Sequence, residues 1–136
     1  MNKLMRSAAV AVVAAATMLA TPAAFAAPHD GECTSGEACV FRNQQYGGGM
    51  ADFGSNDSNW IGHAYSTGYS THDSASSGFS IDRAKQFWVN VNFTGYSFIL
   101  GANYYDQAWT TSQPNNNAPA GFSFNDKVDS HANYVP

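Results

Sequence analysis

WVNVNFTGYSFIL, residues 88–100, alternates apolar and polar side chains on either side of Asn92-Phe93-Thr94-Gly95. A period of two on both sides of a glycine-containing turn reads as a β-hairpin, and nowhere else does the signal run so long. A lone hairpin is marginal in water, so these strands need others to pack against. A repeat supplies them. Phe41, Asn43, Tyr46 and Gly48 stand at the same relative positions as Trp88, Asn90, Phe93 and Gly95, each pair 47 residues apart. The pattern aromatic-x-Asn-x-x-aromatic-x-Gly therefore occurs twice, each time followed by a second strand-like run, 50–53 and 96–100. A glycine at that point predicts a positive φ, which a folded-over turn needs and glycine adopts at no steric cost.

A second pair of segments follows the same order. His72-Asp73-Ser74-Ala75-Ser76-Ser77 precedes a strand-like 78–81, and Asn125-Asp126-Lys127-Val128-Asp129-Ser130 precedes 131–135, with the two serines 53 residues apart. Between the halves lie loop-rich stretches, 56–71 and 103–120, in which Trp60 and Trp109 are expected to turn inward. The order strand, folded hairpin, strand, long loop, polar turn, strand, taken twice, predicts an all-β Greek-key sandwich with four strands per unit. Greek key one is expected over about 37–83 and Greek key two over about 84–136.

The ends and composition bound the functional classes. Lys3 and Arg6 precede an apolar run over 8–20, and Ala24-Phe25-Ala26 offers a small-x-small cleavage pattern, so residues 1–26 read as a secretory signal peptide. The run falls short of the roughly 20 residues that cross a bilayer. The remaining 27–136 is one domain with Arg42, Arg83, Lys85 and Lys127 against ten acidic residues, a net charge of −6. That balance argues against nucleic acid or an anionic membrane as partner, and a secreted monomer is expected. Cys33 and Cys39 are the only cysteines. In an oxidising compartment they read as a disulfide closing a short loop, worth roughly 2 kcal/mol.

Catalysis finds no support in the sequence. There is no Gly-x-Ser-x-Gly, no His-Glu-x-x-His and no phosphate-binding loop, and no enzyme is expected. Asp52, Asp57, Asp73, Asp82 and Asp106 read as solvated turn carboxylates, and His29, His63, His72 and His131 as surface histidines.

Taken together, the duplicated aromatic-to-glycine motif and the later Ser77 and Ser130 resemble the βγ-crystallin Greek-key motif. The resemblance implies that each serine hydroxyl holds down the hairpin of its own motif, with Phe41, Tyr46 and Gly48 in the first and Trp88, Phe93 and Gly95 in the second. The polar segments resemble that family's calcium-binding pattern of two Asn/Asp, two variable residues, Ser/Thr and Ser, departing from it at His72 and Asp129. Calcium wants several oxygens at once. By resemblance each ion would take a backbone carbonyl from Ser74 or Lys127, a side-chain oxygen from Ser76 or Asp129, and the carboxylate of Asp126 or Asp73 from the opposite motif. Asx-rich turns without an ion are the alternative.

A narrower resemblance is to small secreted bacterial metalloproteinase inhibitors of the same fold, carried by Glu32-Cys33-Thr34-Ser35-Gly36-Glu37-Ala38-Cys39-Val40-Phe41. It implies a peptidase inhibitor that presents a rigid loop, 56–71 or 103–120, to an extracellular protease of the metalloprotease class. The second disulfide that ties such a loop in the best understood member has no counterpart here. A calcium-binding structural or stress module is the alternative, and a glycan binder using Trp60, Tyr65, Tyr69, Tyr104, Tyr105 and Trp109 is the third reading. Burial in the core competes for those aromatics.

Overall fold

The computed structural model describes residues 29–54, 56–110 and 113–136. The expected signal peptide, 1–26, lies outside the described residues. Among the described residues seven strands follow in order: β1 Ala38–Asn43, β2 Gly47–Phe53, β3 Ser77–Ser80, β4 Lys85–Asn90, β5 Thr94–Leu100, β6 Tyr105–Asp106 and β7 Ser130–Asn133. They form two antiparallel sheets, β2-β1-β3-β6 and β5-β4-β7. This is the all-β, two-motif sandwich that the repeat predicts.

The two hairpins are built alike. β1 and β2 pair from Ala38↔Phe53 to Asn43↔Gly47, β4 and β5 from Lys85↔Leu100 to Asn90↔Thr94, and each register shifts just before the turn. Tyr46 and Phe93 both take φ 59°, with Gly48 at 78° and Gly95 at 81°. A Cβ on Gly95 would sit 2.7 Å from Asn90 Nδ2, and one on Gly48 2.8 Å from Asn43 Cγ. The turn thus lies folded over its own strand, closer than any side chain permits.

Alternation along the strands sends Val40, Phe53, Phe87, Phe98 and Leu100 into the core. Trp60 stacks on Phe53 at 4.7 Å, while Trp109 meets Phe87 at 5.1 Å and Phe98 at 5.2 Å. Both tryptophans turn inward, fully buried. The motif aromatics do not join them: Trp88 is half-buried and pairs with Phe93 at 5.3 Å, as Phe41 does with Tyr46 at 5.4 Å.

The halves exchange their third strands. β6, from the second half, pairs with β3 of the first through Gly78↔Asp106. In mirror fashion Asp57, from the first half, bridges His131 on β7, with N–H···O distances of 2.8 and 2.9 Å. Each crossing residue opens an Asp-x-x-Trp turn. Asp57 Oδ1 accepts from the Asn59 N–H and Asp106 Oδ1 from the Ala108 N–H, both at 2.9 Å. Trp60 then donates its backbone N–H to Asp129 O at 2.9 Å, and Trp109 to Ser76 O at 2.8 Å. A four-strand unit was the sequence expectation. The third strand shrinks instead to a two-residue pair in one half and a single bridge in the other, too short to leave a period.

Several polar residues depart from their expected solvated places. His131 and Lys85 are fully buried, and Asp52 nearly so. Asp52 accepts at its carboxylate from the N–H groups of Asp30 and Gly31, at 2.9 and 3.2 Å, which fastens the N-terminal arm to β2. The Cys33–Cys39 disulfide lies just beyond, where the arm enters β1. Lys85 Nζ donates to Gly36 O, Gly54 O and Asn133 Oδ1 within 2.7–3.0 Å, and burial brings its pKa down to about 8. One ammonium thus gathers the arm, the end of β2 and the end of β7.

Candidate functional site: the paired polar turns

Both serines stand under the folded hairpins. Ser77 Oγ donates to Asn43 O at 2.7 Å and accepts from the Tyr46 N–H at 3.1 Å. Ser130 Oγ donates to Asn90 O at 2.6 Å and accepts from the Phe93 N–H at 3.2 Å. Each hydroxyl satisfies two backbone groups that the left-handed turn withdraws from the strand ladder. Anchored this way, the polar segments meet across the two halves. The Asp126 N–H donates to Ala75 O at 3.0 Å, and the Asp73 N–H to Asp129 Oδ1 at 2.9 Å.

Two clusters result, equivalent in the repeat but different in chemistry. In the first, Ser76 Oγ donates to Asp126 Oδ1 across the motifs at 3.0 Å, and Asn125 Nδ2 donates to Asp126 Oδ2 at 2.6 Å. Asn125 Oδ1 is buried with no hydrogen-bond partner. Ser74 turns its hydroxyl back onto Ser70 O at 2.6 Å, with the Tyr65 hydroxyl 3.3 Å away. Carboxylate, hydroxyl and amide oxygens are a donor set for a hard cation.

The second cluster holds Asp73, Asp129 and His72. Asp129 is almost fully buried, and His72 Nδ1 lies 2.8 Å from both of its carboxylate oxygens, with Nε2 at 3.5 Å from Asp73 Oδ2. The hydrogen bond to Asp129 raises the His72 pKa, aided by the charges of Asp129 and Asp73. Desolvation, then the Asp129 charge, raises that of Asp73. The His72 ring therefore already occupies the Asp129 carboxylate, and that contact favours its protonated form. The Lys127 ammonium points instead to Asn125 O at 3.4 Å.

The remaining sequence candidates scatter. Trp60, Tyr65 and Trp109 are buried in the core; Tyr69, Tyr104 and Tyr105 stay exposed, Tyr69 beneath the Arg42 guanidinium at 3.8 Å. Burial holds the Tyr65 pKa up at about 12. The polar crossing that sequence reasoning missed had a signal: Asp57-Ser58-Asn59-Trp60 and Asp106-Gln107-Ala108-Trp109 share their first and last residues 49 positions apart.

Family models give no match to this sequence, and neither do curated proteins. Solved structures do. A βγ-crystallin from Ciona intestinalis superposes with a TM-score of 0.56 over 73% of this chain and 100% of its own, at 15% identity. The chain has the βγ-crystallin fold. A structure titled for the evolution of the eye lens βγ-crystallin domain fold gives 0.56 at 17% identity, over 76% of this chain and 93% of that one. An archaeal βγ-crystallin gives 0.53 at 18% identity, over 74% and 100%. At such identities the likeness to the βγ-crystallins is one of fold.

Proposed function

We propose that this chain is a secreted, non-enzymatic structural module of βγ-crystallin fold that binds calcium at one seat, between Ser76 and Asp126, and not at two. The observation that carries the reading is the 3.0 Å meeting of Ser76 Oγ with Asp126 Oδ1 across the motifs, beside the buried, unpartnered Asn125 Oδ1. Asp126, Ser76 and the Ser74 carbonyl would hold the ion, which would supply a positive charge between the two halves of an acidic chain. The residues themselves orient the seat: Asn125 fixes the second Asp126 oxygen, and the Asp126 N–H on Ala75 O sets the two segments side by side. At the equivalent place the His72 ring already occupies both Asp129 oxygens, its Nδ1 2.8 Å from each.

A protease inhibitor needs a loop held clear of the body. Loop 56–71 spends Trp60, Tyr65 and Thr71 on the interior, and 103–120 spends Trp109 and Gln113. A glycan platform would keep only Tyr69, Tyr104 and Tyr105 of its six aromatics. The geometry favours calcium over both.

Thermal unfolding with and without calcium tests this reading. At a hundredfold excess over Kd an ion that binds only the folded state adds about 2.7 kcal/mol, which for a domain of this size raises Tm by roughly 10 °C or more. Asp126→Ala should abolish the rise and Asp73→Ala should leave it. A rise that survives Asp126→Ala, or none in the wild type, removes the reading.

A further inference from the structure

We propose that His29, Asp57 and His63 form a second metal site, selective for a divalent transition-metal ion of the zinc class. It lies where the N-terminal arm meets loop 56–71 and shares no residue with the polar turns. One ring nitrogen from each histidine and one carboxylate oxygen of Asp57 all lie within 4.8 Å of one another. His63 Nε2 is 3.1 Å from Asp57 Oδ2. The His29 and His63 rings stack at 4.5 Å, 14° from parallel. Two imidazole nitrogens with one carboxylate oxygen are ligands that zinc, copper or nickel takes readily, whereas calcium wants oxygens alone.

The backbone holds all three residues in place before any ion arrives. The His29 N–H donates to Asp52 O at 3.1 Å, and the next two N–H groups go to the Asp52 carboxylate. Asp57 is locked in its bridge to His131, and its Oδ1 is engaged by the Asn59 N–H, which turns Oδ2 toward His63. The His63 N–H donates to Trp60 O and its carbonyl accepts from the Thr71 N–H, both at 3.1 Å. Phe53 supplies an apolar wall, its ring 4.9 Å from His29 and 5.6 Å from His63, edge to face. Such outer contacts are what orients metal ligands.

Tetrahedral zinc at about 2.0–2.1 Å from each ligand needs ligand atoms roughly 3.4 Å apart. His63 and Asp57 already meet that spacing. His29 is exposed and His63 and Asp57 partly so, so a side-chain rotation of His29 closes the set and leaves the fourth position to water. Binding there would clamp the arm, and with it the disulfide loop, onto the body of the domain.

The test is calorimetric titration of the purified, disulfide-bonded protein with zinc chloride, repeated with cobalt chloride and read by visible absorption. One equivalent of zinc should bind with a tetrahedral cobalt spectrum, and His63→Ala and His29→Ala should each weaken it at least about tenfold. Asp57→Asn, which keeps the oxygen accepting from Asn59, should weaken it similarly while the metal-free protein keeps its Tm. His72→Asn and Asp126→Ala should leave zinc binding unchanged, which separates this site from the calcium seat. No zinc binding in the wild type, or binding lost in His72→Asn and retained in His63→Ala, overturns the proposal.

Discussion

His131 is held neutral by its surroundings. Its Nδ1 accepts from Trp60 Nε1–H at 3.1 Å, which places the ring proton on Nε2, 3.2 Å from Gly54 O. Desolvation, aided by the Lys85 charge, lowers its pKa to about 3. Between that value and about 6.5, its ordinary pKa, the unfolded chain binds a proton that the folded chain refuses, so stability rises with pH across this window and falls on acidification. The slope from one proton is about 1.4 kcal/mol per pH unit. His131→Gln, which keeps an acceptor and a donor, should flatten urea midpoints between about pH 6 and pH 4 in metal-free buffer; an unchanged acid slope would show that His131 does not set it. His72 works in the opposite sense, its raised pKa lending stability that is lost as pH rises through it. The sequence treats these two histidines alike. Nothing local separates them, because the partner that makes His131 a core residue, Trp60, lies 71 positions away.

The hairpins are the elements on which the fold turns, and they were legible because the demands on them are local. A left-handed turn folded on its strand needs glycine, and a withdrawn carbonyl and N–H need a hydroxyl; both demands leave residues at fixed spacing. Gly95→Val would put a branched side chain at φ 81°, against Asn90 Nδ2 and Val89 Cγ2 within 2.8 Å. Backbone strain alone costs about 1–3 kcal/mol. Ser130→Ala leaves Asn90 O and the Phe93 N–H without their partner, a further 1–3 kcal/mol or so. Both variants should lower Tm, while Gly101→Ala, whose Cβ meets nothing nearer than 3.9 Å, should not. Equal melting of Gly95→Val and wild type would show that the turn is not required. The third strands were illegible for the opposite reason: a one- or two-residue pairing has no period to read, and only the Asp-x-x-Trp echo marks it.

Across the whole molecule, strand exchange makes the two halves one unit. Asp57 pairs with β7, Asp106 with β3, and the backbone of each buried tryptophan hydrogen-bonds to the other half's polar turn. That same exchange brings Ser76 to Asp126 and Asp73 to Asp129, so the two polar clusters, including the proposed cation seat, are products of the topology and not of either motif alone. The sequence showed which segments carry oxygen donors, since the polar pattern repeats. It did not show that His72 would reach across to the Asp129 carboxylate, because that contact spans 57 positions. The most direct measurement is the number of calcium ions bound per chain by calorimetric titration of wild type and His72→Asn. One ion in the wild type and two in His72→Asn is the expected result; no calcium in either protein, or two in the wild type, would contradict it.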